Sequence, residues 1–213
     1  MNNYLANTTE EIYRWFHILN KKYFDGELSE PIITIQKTRS NTLGYFTLDK
    51  VWYPQTADDA TPDEEDCKYE ICISAQCLEI GSARTAEDIC AVLLHELVHY
   101  SNKVNGVKDC SGKIHNKKFK AAAEKVGLEV ERDKKVGWGY TSPSRELRDY
   151  ITKEIAPKAS SLNYYRIIPE KTTGNGPVNK PTKYVCPKCG AKVQGKADFE
   201  LVCKRCGVDM EIQ

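Results

Sequence analysis

The chain has 213 residues, 40% of them apolar and 29% charged, with a net charge of only +1 at pH 7. That length can bury one sizeable core and a small appendage, and the balanced charge excludes a wholesale polyanion binder. Charge is uneven, however: residues 1–127 carry 15 Lys and Arg against 19 Asp and Glu, a net of −4, and residues 128–213 carry 16 against 11, a net of +5, which suits a nucleic-acid-contacting tail on a mildly acidic body.

At the N-terminus no basic stretch precedes an apolar one, and no segment approaches the roughly 20 apolar residues of a membrane span. The expectation is a soluble, intracellular chain, cytoplasmic or, in a eukaryote, nuclear, with no membrane partner. Thr8, Thr9, Glu10 and Glu11 read as a helix start. Ile12, Trp15, Phe16 and Leu19 then recur at helical spacing, and Asp25-Gly26 ends the helix. Residues 31–37, 43–48 and 69–74 have the β-branched patterning of strands. The stretch 54–66, rich in Pro, Asp, Glu and Thr, reads as a solvated loop.

A second helix is expected from Thr85 to about Asn102, and it contains His95-Glu96-Leu97-Val98-His99. On a helix the two histidines lie about 40° apart on one face, one turn above the other. Their imidazoles can therefore converge on one ion, and zinc is the natural occupant. Glu96, rotated by about 100°, flanks the metal where a base for a zinc-activated water belongs. The plain alternative is a pair of hydrogen-bonded core histidines. The surrounding apolar residues argue against it, because burying two His and a Glu without a partner is costly.

A catalytic zinc takes three protein ligands and a water. A metzincin would place Gly and His three and six residues after His99, but Asn102 and Asn105 stand there. His115 lies 16 residues after His99, ahead of a third helix expected over 117–126, and Glu124 lies within that helix. Both are candidate third ligands, with Asp109 and Cys110 weaker ones. His17, in the first helix, reads as structural or surface. Residues 128–183 read as irregular, apart from a helix started by Ser142-Pro143-Ser144 and a linker over 169–181.

Near the C-terminus, Cys186 and Cys189, then Cys203 and Cys206, form two C-x-x-C pairs, each followed by Gly. Four thiolates make a closed, structural zinc site. A module of about 30 residues needs such a metal to fold. Its lysines, with Tyr184 and Phe199, suggest a face for single-stranded nucleic acid; a folding or docking module is the plainer reading. Cys67, Cys72, Cys77, Cys90 and Cys110 show no ligand spacing and read as reduced thiols.

Residues 20–28 (Asn-Lys-Lys-Tyr-Phe-Asp-Gly-Glu-Leu), the helix from Ala91 to Tyr100 and residues 112–119 (Gly-Lys-Ile-His-Asn-Lys-Lys-Phe) together resemble the SprT-like metallopeptidases, over about residues 8–128. The resemblance favours His115 over Glu124. It departs from the family where His115 is followed by Asn116 rather than the frequent Gly. What it implies is an α+β fold: a compact zincin-like metallopeptidase domain over 1–128, with helices packed on a small β-sheet, and a zinc ribbon over 184–213, which also occurs in family members; residues 129–183 match nothing in the family and read as a connecting segment. It also implies two zinc ions, one catalytic and one structural, and cleavage of DNA-bound or DNA-crosslinked proteins, with DNA, chiefly single-stranded, as a partner. An adaptor with a structural zincin fold and a zinc hydrolase of another amide are the alternatives. Tyr45 and Tyr140 are candidates to steady the tetrahedral intermediate, and the strand around Gly44 is expected to border the cleft and pair with substrate.

Overall fold

Ile12, Trp15, Phe16 and Leu19 are all buried and mark the inner stripe of the first helix, α1 (Tyr4–Tyr23). This computed structural model describes residues 4–39, 42–55, 63–79, 84–155, 162 and 181–213. The helix begins before the expected start at Thr8. Thr8 lies on the same stripe as Ile12 and Trp15 and is buried, so it packs within the helix instead of capping it. Asp25 and Gly26, at φ 55° and 77°, end the helix in the left-handed region.

Three strands follow, β1 (Ile32–Gln36), β2 (Gly44–Phe46) and β3 (Glu70–Ser74). They form a sheet of order β1-β3-β2, with β1 parallel and β2 antiparallel to the central β3. Register places Ile33 and Phe46 beside Ile71, and Ile35 and Gly44 beside Ile73. This face packs against α1 and the second helix, α2 (Ala86–Val104). On the other face the carboxylate of buried Glu70 accepts from Thr34, Tyr45 and the Trp52 indole. β2 is an edge strand.

The capping box expected at Thr85 and Asp88 is present at the start of α2. Short strands β4 (Cys110–Ser111) and β5 (Ile114–His115) lead into α3 (Lys117–Lys125). Asn116 caps α3 by accepting from the N–H groups of Lys118 and Phe119, a task that a side chain with an acceptor oxygen can perform and Gly cannot.

The segment read as irregular contains a hairpin, β6 (Leu128–Asp133) and β7 (Gly137–Pro143), in a second sheet of order β4-β5-β7-β6. Ser144 caps α4 (Arg145–Tyr150), which runs on as a π-turn to Ile155. These elements bury Leu128, Leu147, Ile151 and Ile155 in the same core as α1 and α2. The expected boundary at residue 128 therefore falls inside the larger unit, Met1–Ile168.

The second unit, Pro169–Gln213, holds β8 (Thr182–Val185), β9 (Lys192–Gly195), β10 (Val202–Cys203), β11 (Val208–Asp209) and β12 (Glu211–Ile212). They form a sheet of order β12-β8-β9 and a separate β10-β11 pair. The linker expected over 169–181 lies, except for Pro181, outside the described residues, as does much of the loop expected over 54–66. Among the described residues no helix is long and apolar enough to cross a membrane.

Candidate metal centre

Helix α2 is buried along most of its length, which holds the half-buried rings of His95 and His99 in place. Strand β5 brings His115 to them. The ligand nitrogens of the three histidines lie within 4.8 Å of one another, and the Nε2 atoms of His99 and His115 are 3.0 Å apart. Beneath the three rings lies fully buried Phe119, with centroid distances of 4.7, 4.6 and 4.5 Å to His95, His99 and His115. The turn between β5 and α3 thus delivers both the third imidazole and the floor of the site.

Each imidazole is anchored through its other nitrogen. Nδ1 of His99 meets Asp109 Oδ2 at 2.7 Å, Nδ1 of His115 meets the Val136 carbonyl at 3.1 Å, and Nδ1 of His95 meets Thr141 Oγ1 at 2.9 Å. A carbonyl can only accept, so His115 carries its proton on Nδ1 and turns a lone pair outward from Nε2. Burial pushes Asp109 up, but hydrogen bonds from His99 and Asn102 outweigh it and leave the carboxyl below its usual range. Asp109 is therefore an ionised acceptor, and His99 also presents an Nε2 lone pair. Two lone pairs facing each other at 3.0 Å need a cation between or beside them. A proton suits the site poorly, because burial first, and the neighbouring imidazoles second, hold His95 and His115 below the usual histidine value. A divalent metal suits it well.

Glu96 is buried, and burial pushes its carboxyl up to about 7, with His99 opposing the rise. It lies against β2: a Cβ built on Gly44 would come 2.9 Å from Glu96 Oε1 and 2.9 Å from Val92 Cγ1. Only glycine lets this edge strand approach so closely. The N–H of Thr47 bonds to the Glu70 carbonyl and that of Ser74 to the Leu43 carbonyl, so residues 43, 45 and 47 point their backbone groups toward β3. The alternate residues, Gly44 and Phe46, turn theirs to the open edge. The expected strand thus borders the Glu96 side of the centre.

Other candidates lie elsewhere. Glu124 pairs with Lys120 at 3.5 Å and is half exposed, outside the histidine cluster. Asp109 and Cys110 lie near His99, but Asp109 meets the ring nitrogen turned away from His115. His17 is a surface residue paired with Glu30. Tyr45 donates to Glu70 on the sheet face away from α2. Tyr140 falls between Gly139 and Thr141, so strand alternation turns it away from the histidines. Neither tyrosine reaches the centre as placed.

The sequence reading missed what β7 supplies. Thr141 and the Val136 carbonyl anchor two imidazoles, and a Cβ at Gly139 would lie 2.5 Å from His115 Nδ1. Gly137, at φ +64°, would clash with the His115 carbonyl if it bore a Cβ. Two glycines at alternate strand positions were the available signal that a neighbour approaches closely.

In the second unit Cys186, Cys189, Cys203 and Cys206 bring their sulfurs within 4.8 Å of one another, all as free thiols. Gly190 and Gly207 take φ of 69° and 63°, closing each turn back onto Cys186 and Cys203. The backbone N–H of Cys189 draws the Cys186 thiol down to about 7, while contact with the Cys189 sulfur and burial push Cys206 up to about 12. The four cannot ionise together without a cation, and the cluster fits a zinc ribbon. Tyr184 is buried there and donates to the Lys196 carbonyl, so it cannot stack on a base as expected, whereas Phe199 is half exposed. The remaining cysteines, Cys67, Cys72, Cys77, Cys90 and Cys110, are free, the first four buried.

A model of the SprT-like family matches residues 12–136 of this chain. No curated protein and no solved structure gives a match.

Proposed function

The chain belongs to the SprT-like family, and on that premise we propose that it is a zinc metalloendopeptidase acting on DNA-bound or DNA-crosslinked proteins. The observation that carries the reading is the convergence of His95, His99 and His115, each anchored through Nδ1. Zinc held there supplies the Lewis acidity that makes water nucleophilic near neutral pH. Glu96, one helical position from His95 and raised by burial, is the base that takes the water's proton and returns it to the leaving amine. The open edge of β2 orients the substrate by pairing with its extended backbone, through the groups of Gly44 and Phe46. The four ribbon cysteines hold a second, structural zinc. The net basic second unit, with its lysines and Phe199, supports DNA as the partner that concentrates the peptidase near its substrates.

The test is cleavage of a DNA-bound protein, with and without single-stranded DNA, by the wild type and by Glu96→Gln. The reading expects DNA-stimulated cleavage by the wild type and a loss of about 100-fold or more in the variant, with zinc content unchanged. Equal product from both proteins would remove Glu96 as the base; no cleavage by the wild type would leave only a binding role and favour the adaptor.

A further inference from the structure

Strand β7 has two faces. Gly137, Gly139 and Thr141 face the histidines, so Trp138 and Tyr140 face away from them. Tyr140 is 57% exposed. Lys120 Nζ lies 4.4 Å and Arg132 Cζ 5.8 Å from the centre of the Trp138 indole, two cations gathered on one ring. Local charge agrees. Residues 113–140 carry eight Lys and Arg against four Asp and Glu, whereas residues 49–70 carry two against eight. The acidic balance of residues 1–127 therefore hides a basic stretch that supplies the third imidazole and the strand supporting it.

We propose that the outward face of the β6–β7 hairpin, with Lys120, Arg132, Trp138 and Tyr140, is a contact surface for single-stranded nucleic acid on the metal-bearing unit itself. Cations fixed against an aromatic ring suit phosphates. An exposed ring two residues further along the strand, about 7 Å away, suits an unpaired base. A duplex presents no free base to Tyr140. Three acidic groups bear on the face: Glu124 pairs with Lys120, Glu131 stands opposite Tyr140 in the ladder, and exposed Glu129, opposite Ser142, shares its side of the hairpin. Glu129 and Glu131 limit binding by repelling phosphate. This surface deepens the proposed function by placing nucleic acid on the outer side of the strand that steadies His95 and His115.

The test is equilibrium binding of fluorescent oligothymidine and oligouridine to the full chain. Tyr140→Ala is expected to weaken binding about five-fold or more. Arg132→Gln is expected to weaken it and to flatten the dependence of log affinity on log salt by about 0.7. Glu131→Gln is expected to tighten it. A blunt duplex should be indifferent to Tyr140→Ala. Wild-type affinity in both Tyr140→Ala and Arg132→Gln overturns the proposal, as does equal weakening of duplex and single-strand binding by Tyr140→Ala. All three residues are exposed, so the fold should survive. Zinc content and cleavage of an unfolded protein without DNA are measured on the same variants. Absence of peptidase activity in the wild type, with the expected binding pattern, would count against the proposed function alone.

Discussion

At the residue scale the centre is defined by what holds the imidazoles as much as by the imidazoles themselves. Asp109 fixes the proton of His99 on Nδ1, so Asp109→Asn should weaken zinc binding by about 10- to 100-fold, measured by competition with a chelator. Glu96 makes a second prediction, about pH. In the metal-free site its carboxyl titrates at about 7 because burial disfavours the charge, so below that pH it is protonated. A dication nearby favours the ionised form, so metal uptake below pH 7 must expel this proton. Zinc affinity should then rise with pH up to about 7 and flatten above it. His95 and His115, shifted downward, add to the slope only at lower pH. Glu96→Gln should remove the part of the slope nearest neutrality; calorimetry in buffers of different ionisation enthalpy would count the protons. An unchanged count in the variant would mean that Glu96 is ionised before metal arrives.

At the element scale the helices were more legible than the strands that support them. His95 and His99 declare themselves because both imidazoles sit on one helix at a fixed spacing, and His115 because it precedes a helix whose third residue, Phe119, is aromatic. The β6–β7 hairpin hid behind its charges. Leu128 and Val130 alternate with exposed Glu129 and Glu131, a strand pattern only two apolar residues long. The roles of Gly137 and Gly139 depend on His115, which is distant in sequence and adjacent only in the fold. Thr8 misled for a similar reason, since a helix-capping residue type can equally lie in a buried stripe. Strand β2 carries the element-scale prediction. Gly44→Ala must displace Glu96, Val92 or the pairing of β2 with β3, because its Cβ would lie 2.9 Å from Glu96 Oε1, 2.9 Å from Val92 Cγ1 and 3.0 Å from the Cys72 carbonyl of β3. The expected result is a fall in peptidase turnover of about ten-fold or more, for a misplaced catalytic group, with zinc retained by the histidines. Full activity in this variant would show that the edge strand does not position the base.

At the scale of the whole molecule two metal sets of different chemistry sit in two units that divide the chain at residue 169. A zinc held by three imidazoles would have room for a water and one held by four thiolates would not, which on the proposed reading separates a catalytic from a structural role. Because the units do not share ligands, their metals should be lost independently. His99→Ala should leave about one zinc per chain of an expected two, and Cys203→Ser should leave the other. The second substitution should unfold residues 181–213, a module too small to fold without its metal, while the core around Trp15 and Leu94 persists. The functional consequence follows from charge. The second unit is itself net basic, with eight Lys and Arg against five Asp and Glu, so Cys203→Ser should also reduce affinity for single-stranded DNA, most of all at low salt, where released counterions contribute most. It should not abolish binding, because the β6–β7 face remains. A double variant, Cys203→Ser with Tyr140→Ala, should lose more than either alone. Losses that multiply would mark two separate contact surfaces; a double variant no worse than Cys203→Ser would place all the binding on the ribbon.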